Sequence, residues 1–176
     1  MVFQNRNILS YGTTLIEVIM SIVVVSVLFT VVAPNWSEML VKHRIIAGIN
    51  NLSTAIRFGR FDAIEYQHNT LLCPSADYKK CDLNNWSLPK IVFADLNHNN
   101  HRDDNEALIH QVSQPHKGTW IKGPRRAIQF FGGGMVASPV TLFVCPEKPN
   151  EKLNRAVVVS LQGRVRIRKG KYAQCI

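Results

Sequence analysis

Hydrophobic and polar positions follow three successive patterns along the chain. From Thr13 to Ala33, 21 residues are apolar or uncharged, and Glu17 is the only charge among them. A helix rises about 1.5 Å per residue, so this run covers roughly 30 Å, the thickness of a bilayer core. Next, Ile45, Ile49, Leu52 and Ile56 recur at helical spacing, with Lys42, Arg44, Asn50, Asn51 and Arg57 between them. That spacing predicts an amphipathic continuation of the same helix past Pro34, ending near Glu65–Asn69. The whole helix is then about 50 residues, too long for an ordinary globular helix and suited to a stalk. After Asn69 the pattern changes to short β-like runs: Thr70–Cys73, Lys90–Ala94, Glu106–Val112, Thr119–Ile121, Ala127–Phe131, Val140–Cys145, Ala156–Leu161 and Arg164–Arg168. Gly, Pro and Asn clusters separate them, which argues for antiparallel sheets, two of them packed as a sandwich. The expected class is α+β: a long N-terminal transmembrane and stalk helix followed by a mostly antiparallel, two-sheet β head. The segments are 1–12, a leader; 13–33, the membrane part of the helix; 34–68, its amphipathic continuation; and 69–176, the globular head.

A carboxylate at membrane depth costs several kcal/mol unless it is paired, so Glu17 marks a function. A plain anchor has no use for it. An ordinary secretory signal is cut after its apolar core, and Val32-Ala33-Pro34 is a poor site for that. The sequence Gly12-Thr13-Thr14-Leu15-Ile16-Glu17 and the apolar run after it resemble the class III signal of type IV pilins and pseudopilins. The resemblance implies cleavage by a prepilin peptidase between Gly12 and Thr13. Glu17 then stands fifth in the mature chain and pairs with the N-terminal amine of a neighbouring subunit during assembly. It also implies methylation of the new N-terminus, although Thr13 departs from the Phe or Met usual there. Pro34 matches a helix-kinking proline common in such pilins.

Charge is unevenly spread. The chain carries a formal +9. From Lys117 to the end there are 12 Lys or Arg and two acids, a net +10; residues 1–116 carry 9 basic and 10 acidic side chains, a net −1. A one-sided excess of this kind points to a polyanionic partner, nucleic acid or anionic lipid. Cys73, Cys81, Cys145 and Cys175 are an even set outside the apolar run, in a chain bound for an oxidising compartment. Three pairings are open to the sequence. We expect Cys73–Cys81, closing a small local loop, and Cys145–Cys175, pinning the C-terminal tail to an upstream strand. No C-x-x-C spacing occurs and the histidines are scattered, so no metal or other cofactor is expected.

The head narrows the resemblance. Leu72-Cys73-Pro74-Ser75, Cys81, Trp86, Ile91-Val92-Phe93-Ala94-Asp95, Asn97 to Glu106, Phe143-Val144-Cys145 and Val157 to Arg166 are similar to the FimT/GspH family of minor pilins and secretion pseudopilins. Gly163-Arg164-Val165-Arg166 resembles the GRxR motif of the DNA-binding members, which act in natural transformation. The residues point the same way. Val157, Val158, Val159 and Leu161 read as a buried strand, Gln162-Gly163 as a two-residue turn, and Arg164 to Arg168 as the returning strand. Period two puts Arg164, Arg166 and Arg168 on one outward face and sends Val165 and Ile167 into the core. Arginine suits phosphate because its planar fork donates two parallel hydrogen bonds. Arginines on an edge strand also block sheet aggregation, but three on one face within a +10 segment favour DNA contact of low sequence specificity.

Lys169 and Lys171 extend this patch past the strand end, and Lys148, Lys152 and Arg155 join it from the preceding loop. Lys122, Arg125 and Arg126 form a second basic cluster of unassigned face. Trp120 reads as core rather than as a stacking platform. Asp95-x-Asn97-x-Asn99-x-His101-x-Asp103-x-x-Glu106 has the spacing of a calcium loop, but Asn100 stands where that loop wants glycine and no helices flank it, so the segment reads as a polar hairpin. No G-x-S-x-G elbow or phosphate-binding loop occurs, and Ser138 and Ser160 have no recognisable partner, so the protein reads as non-enzymatic. The expected function is that of a minor type IV pilin held in the inner membrane with its head in the periplasm, then assembled with other pilin subunits into a surface pilus. There it binds extracellular DNA for uptake. The alternatives are a structural, tip-priming pseudopilin that touches only protein, and a basic domain lying on a membrane surface.

Overall fold

The computed structural model describes residues 12–32, 36–148 and 150–175. The leader up to residue 11 and Pro34 lie outside them. The chain divides into two units between Met39 and Leu40. In the first, α1 spans Leu15–Val32. Thr14 caps it, its Oγ1 accepting the N–H of Glu17 at 3.4 Å. Glu17 sits in the first turn, where the helix dipole favours a negative charge. The polar side chains further along bond back to their own helix: Ser21, Ser26 and Thr30 donate to the carbonyls of Glu17, Val23 and Val27 at 2.7–2.8 Å. The remaining surface is apolar and exposed, from Leu15 to Phe29. Among the described residues no helix is long and apolar enough to cross a membrane. The described part of α1 has 18 residues, about 27 Å at the helical rise.

Helix α2 spans Trp36–Tyr66 and buries Ile45, Gly48, Ile49, Leu52, Ala55, Ile56, Gly59 and Ala63 in one stripe. Gly59 lets the helix lie close to the sheet, since a Cβ there would stand 3.0 Å from the Phe130 ring. The helix ends where Gln67 turns left-handed at φ 52° and its Nε2 donates to the Ile64 carbonyl at 2.6 Å. Asp62 ties this end to the first strand, accepting from His68 Nε2 at 2.7 Å and Thr70 Oγ1 at 3.0 Å.

Eight strands follow: β1 Thr70–Pro74, β2 Lys90–Ala94, β3 Leu108–Val112, β4 Thr119–Lys122, β5 Ile128–Phe130, β6 Val140–Pro146, β7 Arg155–Val159 and β8 Val165–Lys169. They form two antiparallel four-stranded sheets, ordered β3-β2-β1-β5 and β4-β6-β7-β8. The α+β, two-sheet architecture expected from the pattern is the one observed. The sandwich is not. One face of each sheet packs on α2: Leu72, Val92, Ile128 and Phe130 from the first, and Leu142, Val144, Val157 and Val159 from the second, share one core with Ile49, Leu52 and Ile56. The apolar stripe of α2 takes the place that a facing sheet would fill. The other face of the first sheet, with Leu71, Cys73, Ile91 and Phe93, is covered by Cys81, Leu83 and Ala127. Two disulfides are present, Cys73–Cys81 and Cys145–Cys175, with Cα separations of 5.6 and 5.7 Å. The second fixes the C-terminal tail to β6.

Candidate nucleic-acid interface

The β7–β8 hairpin differs from its expected form in ways that decide the site. Its loop has three residues, not two. Ser160 N–H donates to the Arg164 carbonyl at 3.0 Å, and Gly163 N–H donates to the Ser160 carbonyl at 2.8 Å. Gly163 sits at φ 70°. This is a turn closed by a left-handed glycine bulge. A Cβ on Gly163 would fall 2.6 Å from Arg60 Cδ and 2.7 Å from the Gly134 carbonyl oxygen. Glycine is therefore required twice, by its φ and by the helix against which the turn is pressed.

That contact brings in residues that the sequence reading missed. A groove of about 550 Å³ is lined by Arg57, Arg60, Phe61 and Ile64 of α2 together with Gly163, Arg164 and Val165. Arg60 is anchored, its Nε donating to the Gly134 carbonyl at 3.1 Å. Arg57 is exposed, and Phe61 is 64% exposed. The available signal was Arg57 and Arg60 three apart on one helix turn, interleaved with Phe58 and Phe61.

Register carries the rest. Val159 pairs with Val165, Val158 with Arg166, Val157 with Ile167 and Ala156 with Arg168. Arg166 and Arg168 therefore share the face turned away from α2, about 7 Å apart along the strand, Arg164 just before the strand opens the groove beside α2, and all three are exposed. Among the described residues no carboxylate forms an ion pair with them. Val165 packs against the core. Ile167 does not enter it and is 55% exposed, because β8 is the terminal strand of its sheet. Lys169 pairs with Arg155 and stands on the same face as Val165 and Ile167, opposite the arginine row. It lies inside β8 and not past its end, so it adds charge beside the arginine row.

The remaining basic residues divide. Arg168, Ala156, Phe143 and Lys122 form one transverse row across β8, β7, β6 and β4. Lys122 thus shares the arginine face at the far edge of the sheet, about 14 Å away at ordinary strand spacing. Trp120 pairs with Cys145 and is half-buried rather than part of the core. Arg155 is committed locally, its Nη1 donating to the carbonyls of Lys152 and Asn154 at 2.8 and 2.9 Å. Exposed Lys148 and Lys152 lie on the loop whose Asn154 carbonyl accepts the Gly170 N–H at 3.0 Å. That loop neighbours exposed Lys171 at the end of β8, not Arg164 at its start. Arg126 Nη2 donates to the Pro139 carbonyl at 3.0 Å, and Arg125 and Arg126 line a cavity with Leu71, Leu83 and Gln129 on the first sheet. They do not join the β8 row. Gly12 is described and exposed at the start of the first unit.

Residues 48–163, about two thirds of the chain, match the family model described as type II transport protein GspH. No curated protein sequence matches the chain. Among solved structures, the type IV minor pilin FimU of Pseudomonas aeruginosa is similar at 12% identity and a TM-score of 0.56, over 76% of this chain and 93% of that one. The minor pseudopilin EpsH of the Vibrio cholerae type 2 secretion system is similar at 12% identity and a TM-score of 0.53, over 72% and 97%. A second EpsH structure gives 14% and 0.51, over 74% and 98%. At these identities the structures speak for the fold, and the family match speaks for descent. The chain belongs to the GspH family and is built on the fold of minor pilins and pseudopilins.

Proposed function

We propose that this protein is a minor type IV pilin whose head binds DNA, largely independent of sequence, for uptake in natural transformation. The observation that carries the reading is the run of exposed arginines: Arg166 and Arg168 in register on one strand face, preceded by Arg164 at the turn, with Arg57 and Arg60 beside that turn. Alternate strand residues stand about 7 Å apart, so long guanidinium side chains on them can reach successive phosphates, and such contacts position a duplex without reading bases. Lys169, Lys171, Lys148 and Lys152 add general positive potential rather than a continuation of the row.

The N-terminal half supports assembly. Prepilin peptidase cuts between Gly12 and Thr13. The apolar segment 13–33 holds the protein in the inner membrane before assembly, with the head, from about residue 69, in the periplasm. Apart from Glu17, the polar side chains of α1 after the cap are satisfied within the helix, as a lipid environment requires. Glu17 is left to pair with the amine of the neighbouring pilin subunit. The mature protein reaches the cell surface in the pilus.

A second reading is favoured by the family match itself, whose description is of a type II transport protein and which stops at Gly163, before the arginine row. In it, the chain is a structural, tip-priming pseudopilin that contacts only protein. Fluorescence anisotropy of a labelled duplex, titrated with the detergent-solubilised full chain at low salt, separates the two. DNA binding that is lost in the Arg164→Gln/Arg166→Gln double variant supports the first reading. A wild-type chain that leaves the duplex free supports the second.

A further inference from the structure

The loop between β2 and β3 holds a second feature that the DNA reading does not use. Asp95, Asn97, Asn99, Asp103 and Glu106 occupy the first, third, fifth, ninth and twelfth places of a calcium loop, and the His101 carbonyl occupies the seventh. The sequence raises two objections, Asn100 in the glycine position and the lack of flanking helices, and the second stands, since β2 and β3 flank the loop. In the structure Asn100 stands at φ 60°, so the left-handed turn forms there with asparagine.

Burial makes the loop more than a turn. Asp95 is 0% exposed and Glu106 2%. Asp95 is turned into the loop, its Oδ2 accepting the Asn100 N–H at 3.4 Å. Its Oδ1 is buried and has no hydrogen-bond partner among the described residues. A buried carboxylate oxygen without a donor, close to a second buried carboxylate, is a costly arrangement for protein alone. Glu106 Oε1 accepts from Leu96 N–H at 2.8 Å, and Oε2 from Asp103 N–H at 3.0 Å. Each oxygen keeps a further lone pair. Asn97 and Asn99 both donate through Nδ2 to Asp103 Oδ2, at 2.7 and 2.8 Å, so these three side chains converge on one side of the loop.

We propose that the 95–106 loop binds one calcium ion, with the Asp95 and Glu106 carboxylates as the principal ligands and Asn97, Asn99 and the His101 carbonyl supplying further oxygens. Among the described residues no three His, Cys, Asp or Glu side chains gather as a metal set. The loop therefore gathers two carboxylates, Asp95 and Glu106, and not three. Calcium suits such a set because it takes six to eight oxygens, amide and backbone carbonyls included, in flexible geometry. The ion offsets the repulsion of the two buried acids. It also stiffens the loop against the segment closed by Cys73–Cys81, to which Arg102 N–H, donating to the Lys79 carbonyl at 3.0 Å, and the Lys79–Asp104 ion pair at 2.9 Å already tie it.

The test is equilibrium dialysis of the chelator-stripped, detergent-solubilised full chain against radioactive calcium, with thermal unfolding followed in parallel in calcium, magnesium and chelator. The expected result is one ion per chain, with Kd on the order of 10⁻⁴–10⁻³ M as in extracellular modules, and a rise in Tm with calcium that magnesium does not match. Asp95→Asn keeps the shape and removes the charge; it should abolish binding and the Tm response, and Glu106→Gln should do the same. Asp104→Asn, at the exposed neighbour, should leave both intact. A wild-type chain that holds no calcium at 10 mM overturns the proposal whatever the variants do. So does Asp95→Asn binding calcium as well as wild type, or magnesium stabilising equally.

Discussion

At the scale of single residues, Gly163 and Lys90 show how much depends on one position. The sequence marked Gly163 as a turn glycine, which was correct in kind. The packing of the turn on Arg60 depends on a contact between positions about a hundred residues apart, which no local pattern reveals. Gly163→Ala must both strain φ and displace Arg60. We expect a loss of about 1–3 kcal/mol, read by chemical denaturation, together with weaker DNA binding because the start of the arginine row moves. Unchanged stability would mean that the turn is not held against α2. Lys90 was legible only as the start of a strand. Its side chain is 0% exposed, and burial lowers its pKa from 10.5 to about 8. Its Nζ donates to the Leu88 carbonyl at 2.8 Å. With the folded pKa below the unfolded one, the unfolded chain binds more protons between pH 8 and 10.5. This group therefore makes stability rise with pH across that window, by up to about 3 kcal/mol. Lys90→Met should be more stable than wild type at pH 7 and should lose this part of the pH dependence. Parallel pH–stability curves for the two proteins would contradict the buried-ammonium account.

At the scale of elements, all eight strands were legible, because β-branched runs bounded by Gly, Pro and Asn signal strands locally. The stripe on α2 was legible for the same reason: Ile45, Ile49, Leu52 and Ile56 keep one period. What failed was placement between elements. Ile167 reads as core by alternation, yet it lies on the last strand of its sheet, where nothing covers it. Lys169 reads as part of a basic run, yet alternation turns it to the other face. The arginine row itself followed from period two, whereas Arg57 and Arg60 come beside Arg164 only through tertiary packing. Helix α1 carries the assembly prediction. Glu17→Ala should leave cleavage at Gly12 intact, since the glutamate lies on the helix beyond the cut. It should reduce incorporation into pili, because the charge pair with the neighbouring amine is lost. Immunoblotting of sheared pili against membrane fractions measures this. Equal incorporation would contradict the pairing role, and an uncut chain in intact-mass measurement of the wild type would contradict the pilin-type processing altogether.

At the scale of the whole molecule, the proposed function assigns assembly to the N-terminal helix and polyanion binding to the exposed, charged face of the β4-β6-β7-β8 sheet. The separation of roles predicts that the Arg164→Gln/Arg166→Gln strain keeps its pili and loses transformation. Its most direct test is the salt dependence of duplex binding by the full chain, wild type against Arg164→Gln, Arg166→Gln and the double variant. Each neutralised phosphate contributes roughly 0.9 to the slope of log affinity against log salt, so each single variant should flatten that slope by about 1 and the double variant by about 2. The loss should be the same for unrelated duplex sequences. A folded double variant that binds with unchanged affinity and unchanged slope would contradict the account and leave the protein a structural pseudopilin.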